Sequence, residues 1–242
     1  MKGHVGRTRW IASCLSLVFA AHAFAGSPLA YRLSAGDRFQ IDTVTDASAP
    51  VVGPIHAVVK AQSEVVSATP DAMVLKESIT SQIAGKPDYT LENLGITVSP
   101  EGKCSNITGV DMNDPKQALI AKNASVGLPP LPNEPVDVGS TWEDERPIFL
   151  PHVPVPGIPA SVRVHSTYKV TGLGKTGDKD TASIAVTSSE APGEKVKLEA
   201  TGSLVVELAT GKPVTSHLEG LAQVRVILKT LKVPFKVDIT VH

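Results

Sequence analysis

Aromatic side chains make up only 4% of this chain, so any core has to be assembled from Val, Ile, Leu and Ala. Cysteine is rarer still: Cys14 and Cys104 are the only two. No block of Lys or Arg is present to neutralise a phosphate backbone, which argues against nucleic acid as a partner. No apolar run reaches the roughly 20 residues of a spanning helix. The chain has no Gly-x-Ser-x-Gly elbow, no P-loop and no His-x-x-x-His pair, so the common signatures of hydrolases, nucleotide enzymes and zinc sites are missing.

What is present begins with an export signal. Met1 to Arg9 is basic and free of acids, Trp10 to Phe24 is apolar, and Ala23-Phe24-Ala25 precedes Gly26-Ser27-Pro28. A charged start, a short apolar stretch and a small-x-small end predict cleavage between Ala25 and Gly26, leaving no membrane span. Ile11-Ala12-Ser13-Cys14 fits a loose lipobox, but only Trp10 to Ser13 lies between the basic residues and Cys14. Arg7 and Arg9 are not adjacent, so no twin-arginine signal is read. Cleavage leaves residues 26–242 as a single β-rich domain with 20 Lys+Arg against 24 Asp+Glu. Cys104 is then alone and forms no internal disulfide; it reads as a small buried hydrophobe.

Period-2 alternation dominates the mature chain and predicts strands. Leu231, Val233, Phe235, Val237, Ile239 and Val241 are apolar, and the residues between them are not. Pro234 cannot donate to a ladder, which places this strand at a sheet edge or a bulge. Val196 to Leu208 repeats the pattern, with Gly202 read as a bend or bulge. Val162 to Val170 and Ala182 to Val186 follow suit, with turns expected at 172–180, 191–194 and 210–213. One helical connector is predicted at about 114–125, capped by Asp114-Pro115 and stopped by Gly127 and Pro129-Pro130.

Two stretches, about 31–110 and 133–230, carry matching marks. Gly36 and Phe39 pair with Gly139 and Trp142; Gly95 pairs with Gly202; Glu101-Gly102-Lys103 pairs with Thr210-Gly211-Lys212; Asn106 to Gly109 pairs with His217 to Gly220. The offset drifts slowly upward, as expected of an internal repeat with small insertions. Tyr31-x4-Gly36-Asp37-x-Phe39, together with Pro135-Val136-x-Val138-Gly139-x-x-Trp142, resembles an uncharacterised family of exported bacterial β-rich proteins. Ser140 stands where that family carries Asp. The resemblance implies export and β architecture and brings no activity with it.

Candidate sites are few. Gly36-Asp37 and Gly139-Ser140 read as turns that present Phe39 and Trp142 to the core. Gly174 to Asp180 lacks the spaced oxygens and closing Glu of a calcium loop. His56, His152, His165, His217 and His242 read as strand-surface residues. Asn106-Ile107-Thr108 and Asn123-Ala124-Ser125 are glycosylation sequons, which matter mainly in a eukaryotic secretory route. In Ile148 to Pro159, four prolines hold an apolar ribbon extended. Phe149, Leu150, Val153, Val155 and Ile158 make it the candidate binding surface.

The expected fold is mainly β: a curved antiparallel sheet or half-barrel from two similar halves, with one short connecting helix. The expected function is that of a non-enzymatic periplasmic or secreted protein without a cofactor, binding an apolar small molecule or a partner segment. A structural or assembly component in contact with envelope proteins is the alternative, and a hydrolase gathering His and Asp residues is third.

Overall fold

The alternating aliphatics form eleven strands of one antiparallel sheet. The computed structural model describes residues 28–49, 53–124, 128–150, 159–226 and 229–242; Ala25, Gly26, Val153, Val155 and Ile158 lie outside them. Strands β1 (Arg38–Ala49), β2 (Gly53–Ala68), β3 (Met73–Ile83), β4 (Tyr89–Val98) and β5 (Cys104–Thr108) precede helix α1 (Pro115–Ala124). Strands β6 (Thr141–Phe149), β7 (Ser161–Thr176), β8 (Lys179–Glu190), β9 (Val196–Glu207), β10 (Pro213–Val226) and β11 (Lys229–Val241) follow it. Across the sheet the order is β5-β4-β3-β2-β1-β11-β10-β9-β8-β7-β6. The first half walks outward from the middle, the chain crosses to the far edge, and the second half walks back until β11 lies beside β1. Strands β5 to β1 and β10 to β6 are therefore laid down in the same order, so the two halves are built alike.

The sheet curls far enough that α1 packs against both β4 and β6. In a flat sheet those strands would lie about 40 Å apart at the usual inter-strand spacing, whereas a ten-residue helix is only about 15 Å long. The helix starts where the sequence places it: Asp114 Oδ1 accepts from the N–H groups of Lys116 (2.8 Å) and Gln117 (3.2 Å). These bonds hold the Asp114 carboxyl below the usual carboxylate range. Buried Ala118 and Ala121 let the helix lie close. The Lys116 and Lys122 ammonium groups sit over the rings of Tyr89 on β4 and Phe149 on β6. No helix among the described residues is long and apolar enough to cross a membrane.

One end of the half-barrel is plugged. The segment 28–33 and the strap 128–136 pair with each other, Leu29 donating to Glu134 O and Asn133 to Leu29 O. Tyr31 N–H reaches Pro100 O and Arg32 N–H reaches Thr210 O, so the plug is stitched to a turn in each half of the sheet. Those turns carry Gly102 (φ +75°) and Gly211 (φ +71°). A Cβ on Gly102 would meet Tyr31 Cε2 at 2.7 Å, and one on Gly211 would meet Ala30 O at 2.2 Å. Two turns that match in sequence therefore give the plug its close seat. Around it pack Leu75, Ile96 and Val98 from the first half and Val170, Ile184 and Val206 from the second. The turns before β1 and β6 also correspond. Ser34 N–H donates to Asp37 Oδ2 (2.7 Å), and Asp137 N–H donates to Ser140 Oγ (2.9 Å). Ser140 thus makes the bond that Asp37 makes in the other half.

Three local expectations need correction. β11 is not an edge strand: it is sixth of eleven and pairs with both β1 and β10. Pro234 is accommodated because the β1 ladder stops at Phe235, so the missing N–H falls where that partner has ended. At Gly202 there is no bulge, and the ladders to β8 and β10 run through it in unbroken register. The expected turn at 172–180 shrinks to Gly177-Asp178, since Thr176 already pairs with Lys179. Gly172 and Gly174 lie inside β7, where a register shift at Val170/Gly172 absorbs the irregularity.

Candidate functional site: an apolar hollow with one polar strip

Beyond the plug the concave face lines a half-open cavity of about 300 Å3. Its floor is the alternating row of β11, Phe235, Val237, Ile239 and Val241, joined by Leu218 of β10 and Ile41 of β1. The register sets this face: Ile41 pairs with Val241, and Leu218 with Val237. Unlike the aliphatics of the plug, these six are only half-buried. A second apolar cluster of Val162, Val164 and Val196 continues the wall and is packed by Leu150 and Leu198. Two other hollows, of about 590 and 630 Å3, are open surface grooves with charged residues such as Glu64 and Glu199 in their walls.

One strip of the cavity wall, on β6, β7 and β8, carries an ion pair and paired hydroxyls; Ser216 and His217 of β10 also line the hollow. Asp144 of β6 pairs in register with Ser166 of β7, which pairs with Ser188 of β8. The two serine hydroxyls lie 2.8 Å apart. Next along β6, Arg146 donates from Nε to Asp144 and from Nη1 to Leu128 O (2.6 Å). The side chains of Arg146 and Asp144 are 16% and 17% exposed. Arg146 Nη2 is closed to bulk water and has no acceptor among the described residues. Tyr168, stacked on Trp142 at 5.4 Å, also borders the hollow. Burial pushes its hydroxyl pKa up, with a Ser166 hydrogen bond opposing.

The strap is held by its carbonyls. Leu128 O accepts from Arg146, Pro129 O from the Tyr31 hydroxyl (2.9 Å) and Pro130 O from Trp142 Nε1 (3.0 Å). Pro129 and Pro130 have no N–H to satisfy, so at these two residues side-chain donors hold the strap, whose later residues pair with the segment 28–33.

Of the ribbon residues, Phe149 ends β6 with both backbone groups bound by Asn123, its O accepting from Nδ2 (2.9 Å) and its N–H donating to Oδ1 (3.1 Å). Leu150 N–H donates to Ala160 O, and its side chain packs against the second apolar cluster. Ribbon and cavity are thus neighbours through Leu150 and Ile148. Asp144, Arg146, Ser166 and Ser188 were not among the sequence candidates. Their signal was parity: in Thr141-Trp142-Glu143-Asp144-Glu145-Arg146, the inward set begun by Trp142 continues through Asp144 and Arg146.

Each described histidine pairs with carboxylates on strand surfaces: His56 with Asp46, His165 with Glu143, His217 with Asp238 and Glu219, His242 with Asp42. Among the described residues no group of three or more His, Cys, Asp or Glu suits a metal ion. Cys104 is half-buried, and burial pushes its thiol pKa up to about 11.

Among the described residues one carboxyl-bearing residue is fully buried. Glu77 of β3 accepts from Ser63 Oγ (2.9 Å), and burial raises its pKa above the ordinary value, with that hydrogen bond opposing. An unfolded Glu loses its proton near pH 4.3, whereas folded Glu77 keeps it to higher pH. The folded form binds more protons across that window, so this group's contribution falls as pH rises from about 4.3 to the raised value, then levels off. Glu77→Gln is expected to be more stable than the parent in urea at pH 8, with the difference vanishing toward pH 4. An equal difference at both pH values would refute this account.

No family model matches the chain, and no curated protein matches it in sequence. Among solved structures it is similar to lipovitellin, in a structure described as showing lipid–protein interactions. That match covers 85% of this chain at 12% identity with a TM-score of 0.50, and the likeness is one of fold. This chain spans 25% of the lipovitellin chain's length. It also matches a putative exported protein with a YmcC-like fold from Bacteroides fragilis, over 88% of this chain and 99% of that one, at 9% identity and a TM-score of 0.35. A LolA superfamily protein from Nitrosomonas europaea matches over 85% and 86% of the two chains, at 8% identity and a TM-score of 0.21.

Proposed function

We propose that this chain is an exported, non-enzymatic binding protein of the periplasm or the secreted fluid that holds an apolar molecule in the concave hollow. The observation that carries the reading is the cavity itself. A row of aliphatics that would ordinarily fill a core instead borders a space of about 300 Å3. An apolar cavity of about 150 Å3 is enough for one benzene, so this one suits a single acyl-type chain rather than a large lipid. The N-terminal signal supports the compartment. The fold it shares with lipovitellin, whose structure is described in terms of lipid–protein interactions, supports the ligand class.

The test uses the mature protein stripped of adducts. The fluorescent apolar amine N-phenyl-1-naphthylamine is expected to bind saturably with one site per chain and to be displaced by a twelve-carbon chain. Native mass spectrometry of protein from its own envelope is expected to show a single apolar adduct. If emission rises no more than with urea-unfolded protein, the reading is wrong.

A further inference from the structure

The hollow carries a strip of charge and hydroxyl on a mostly apolar wall, to which β10 adds Ser216 and His217, and this strip points to one kind of head group. Burying an ion pair is costly unless every donor finds an acceptor. Arg146 uses Nε on Asp144 and Nη1 on Leu128 O, which leaves Nη2 buried and without an acceptor. The pair as a whole is already neutral. A carboxylate or phosphate entering beside it would bring a second negative charge against one guanidinium, in a site only about one-sixth exposed. Nη2 is sealed from the hollow as well as from water, so a ligand meets the hydroxyls beside the pair, and a neutral head sets no second charge against it. Ser166 and Ser188, in register with Asp144, offer hydroxyls that both donate and accept.

Resting on the binding role proposed above, the geometry points to an uncharged, ester- or hydroxyl-bearing single-chain amphiphile as the ligand class. Its head oxygen bonds the Ser166–Ser188 hydroxyl pair beside the Arg146–Asp144 ion pair, and its chain lies along Val237, Ile239 and Val241. Asp144 acts here as a selectivity residue: by neutralising Arg146 it excludes anionic heads that the arginine alone would attract.

Four probes of equal chain length separate head from tail: 1-monolauroylglycerol, laurate, dodecyltrimethylammonium and dodecane, titrated at pH 7.5 below their aggregation concentrations. Monolauroylglycerol is expected to bind the wild-type protein about tenfold tighter than laurate or dodecane, the upper end of what one hydrogen bond contributes. In Asp144→Asn the uncompensated guanidinium is expected to reverse the order, with laurate the tighter ligand. Wild-type protein that prefers laurate, or an order unchanged in a folded Asp144→Asn, overturns the head-group assignment. Equal binding of all four also overturns it while leaving the apolar hollow in place. Binding of none removes the proposed binding role itself. If Asp144→Asn does not fold, as judged by near-UV circular dichroism, the wild-type series alone decides.

Discussion

Ile239→Glu is expected to abolish uptake of an apolar chain, weakening binding at least about hundredfold, whereas Thr240→Glu on the same strand leaves it unchanged. Ile239 lines the hollow, and its neighbour Thr240 is exposed on the opposite face of β11. A carboxylate set among Val237, Val241 and Leu218 either retains its water or loses it at a cost of several kcal/mol. With the site half-open to solvent, about 3 kcal/mol of that cost falls on the bound state, which is about two powers of ten in affinity. The control differs by one residue, the smallest shift that changes face on a strand. Ile239→Trp reaches the same end by filling the space and keeps the core apolar, so it separates lost binding from lost folding. Equal effects at 239 and 240, or full binding by both Ile239 variants, would place the ligand elsewhere.

Arg146→Met is expected to cost about 3–5 kcal/mol, because it strands the Asp144 carboxylate in the wall and frees Leu128 O. For a chain of this size that is roughly a 6–20 °C fall in melting temperature. The double variant Asp144→Leu/Arg146→Met is expected to recover most of the loss, since a well-packed apolar pair avoids the desolvation cost of the ions. A single variant that melts with the wild type would mean that Arg146 neither anchors the strap nor partners a buried charge. Recovery of stability without recovery of monolauroylglycerol binding would place the pair's value in recognition, not in folding.

How much of this was legible beforehand varies by element. The β11 row, the β9 row and the β7 row were readable because each has an inner and an outer face, and one residue decides which. Helix α1 was readable from Asp114-Pro115, a local capping signal. The turns at Gly102 and Gly211 were marked as counterparts, but that both seat the plug was not visible, because their partners Tyr31 and Ala30 lie far away in sequence. Pro234 misled for the same reason. A missing N–H looks like an edge, and only the end of the β1 ladder at Phe235 shows why a central strand tolerates it. Strand β6 hid its role: with Glu143 and Glu145 alternating against Asp144 and Arg146, both faces read as polar.

The sequence by itself determined the strand periodicity, the connecting helix and the alternating faces, since each depends on residues a few positions apart. Only the tertiary structure decided that the sheet curls until α1 spans from β4 to β6, that a plug fills one end and leaves about 300 Å3 open beyond it, and that an ion pair faces that space. The physical reason is reach. Alternation sets which face a side chain takes, but whether that face meets another side chain or a void depends on strands that pair across the whole length of the chain.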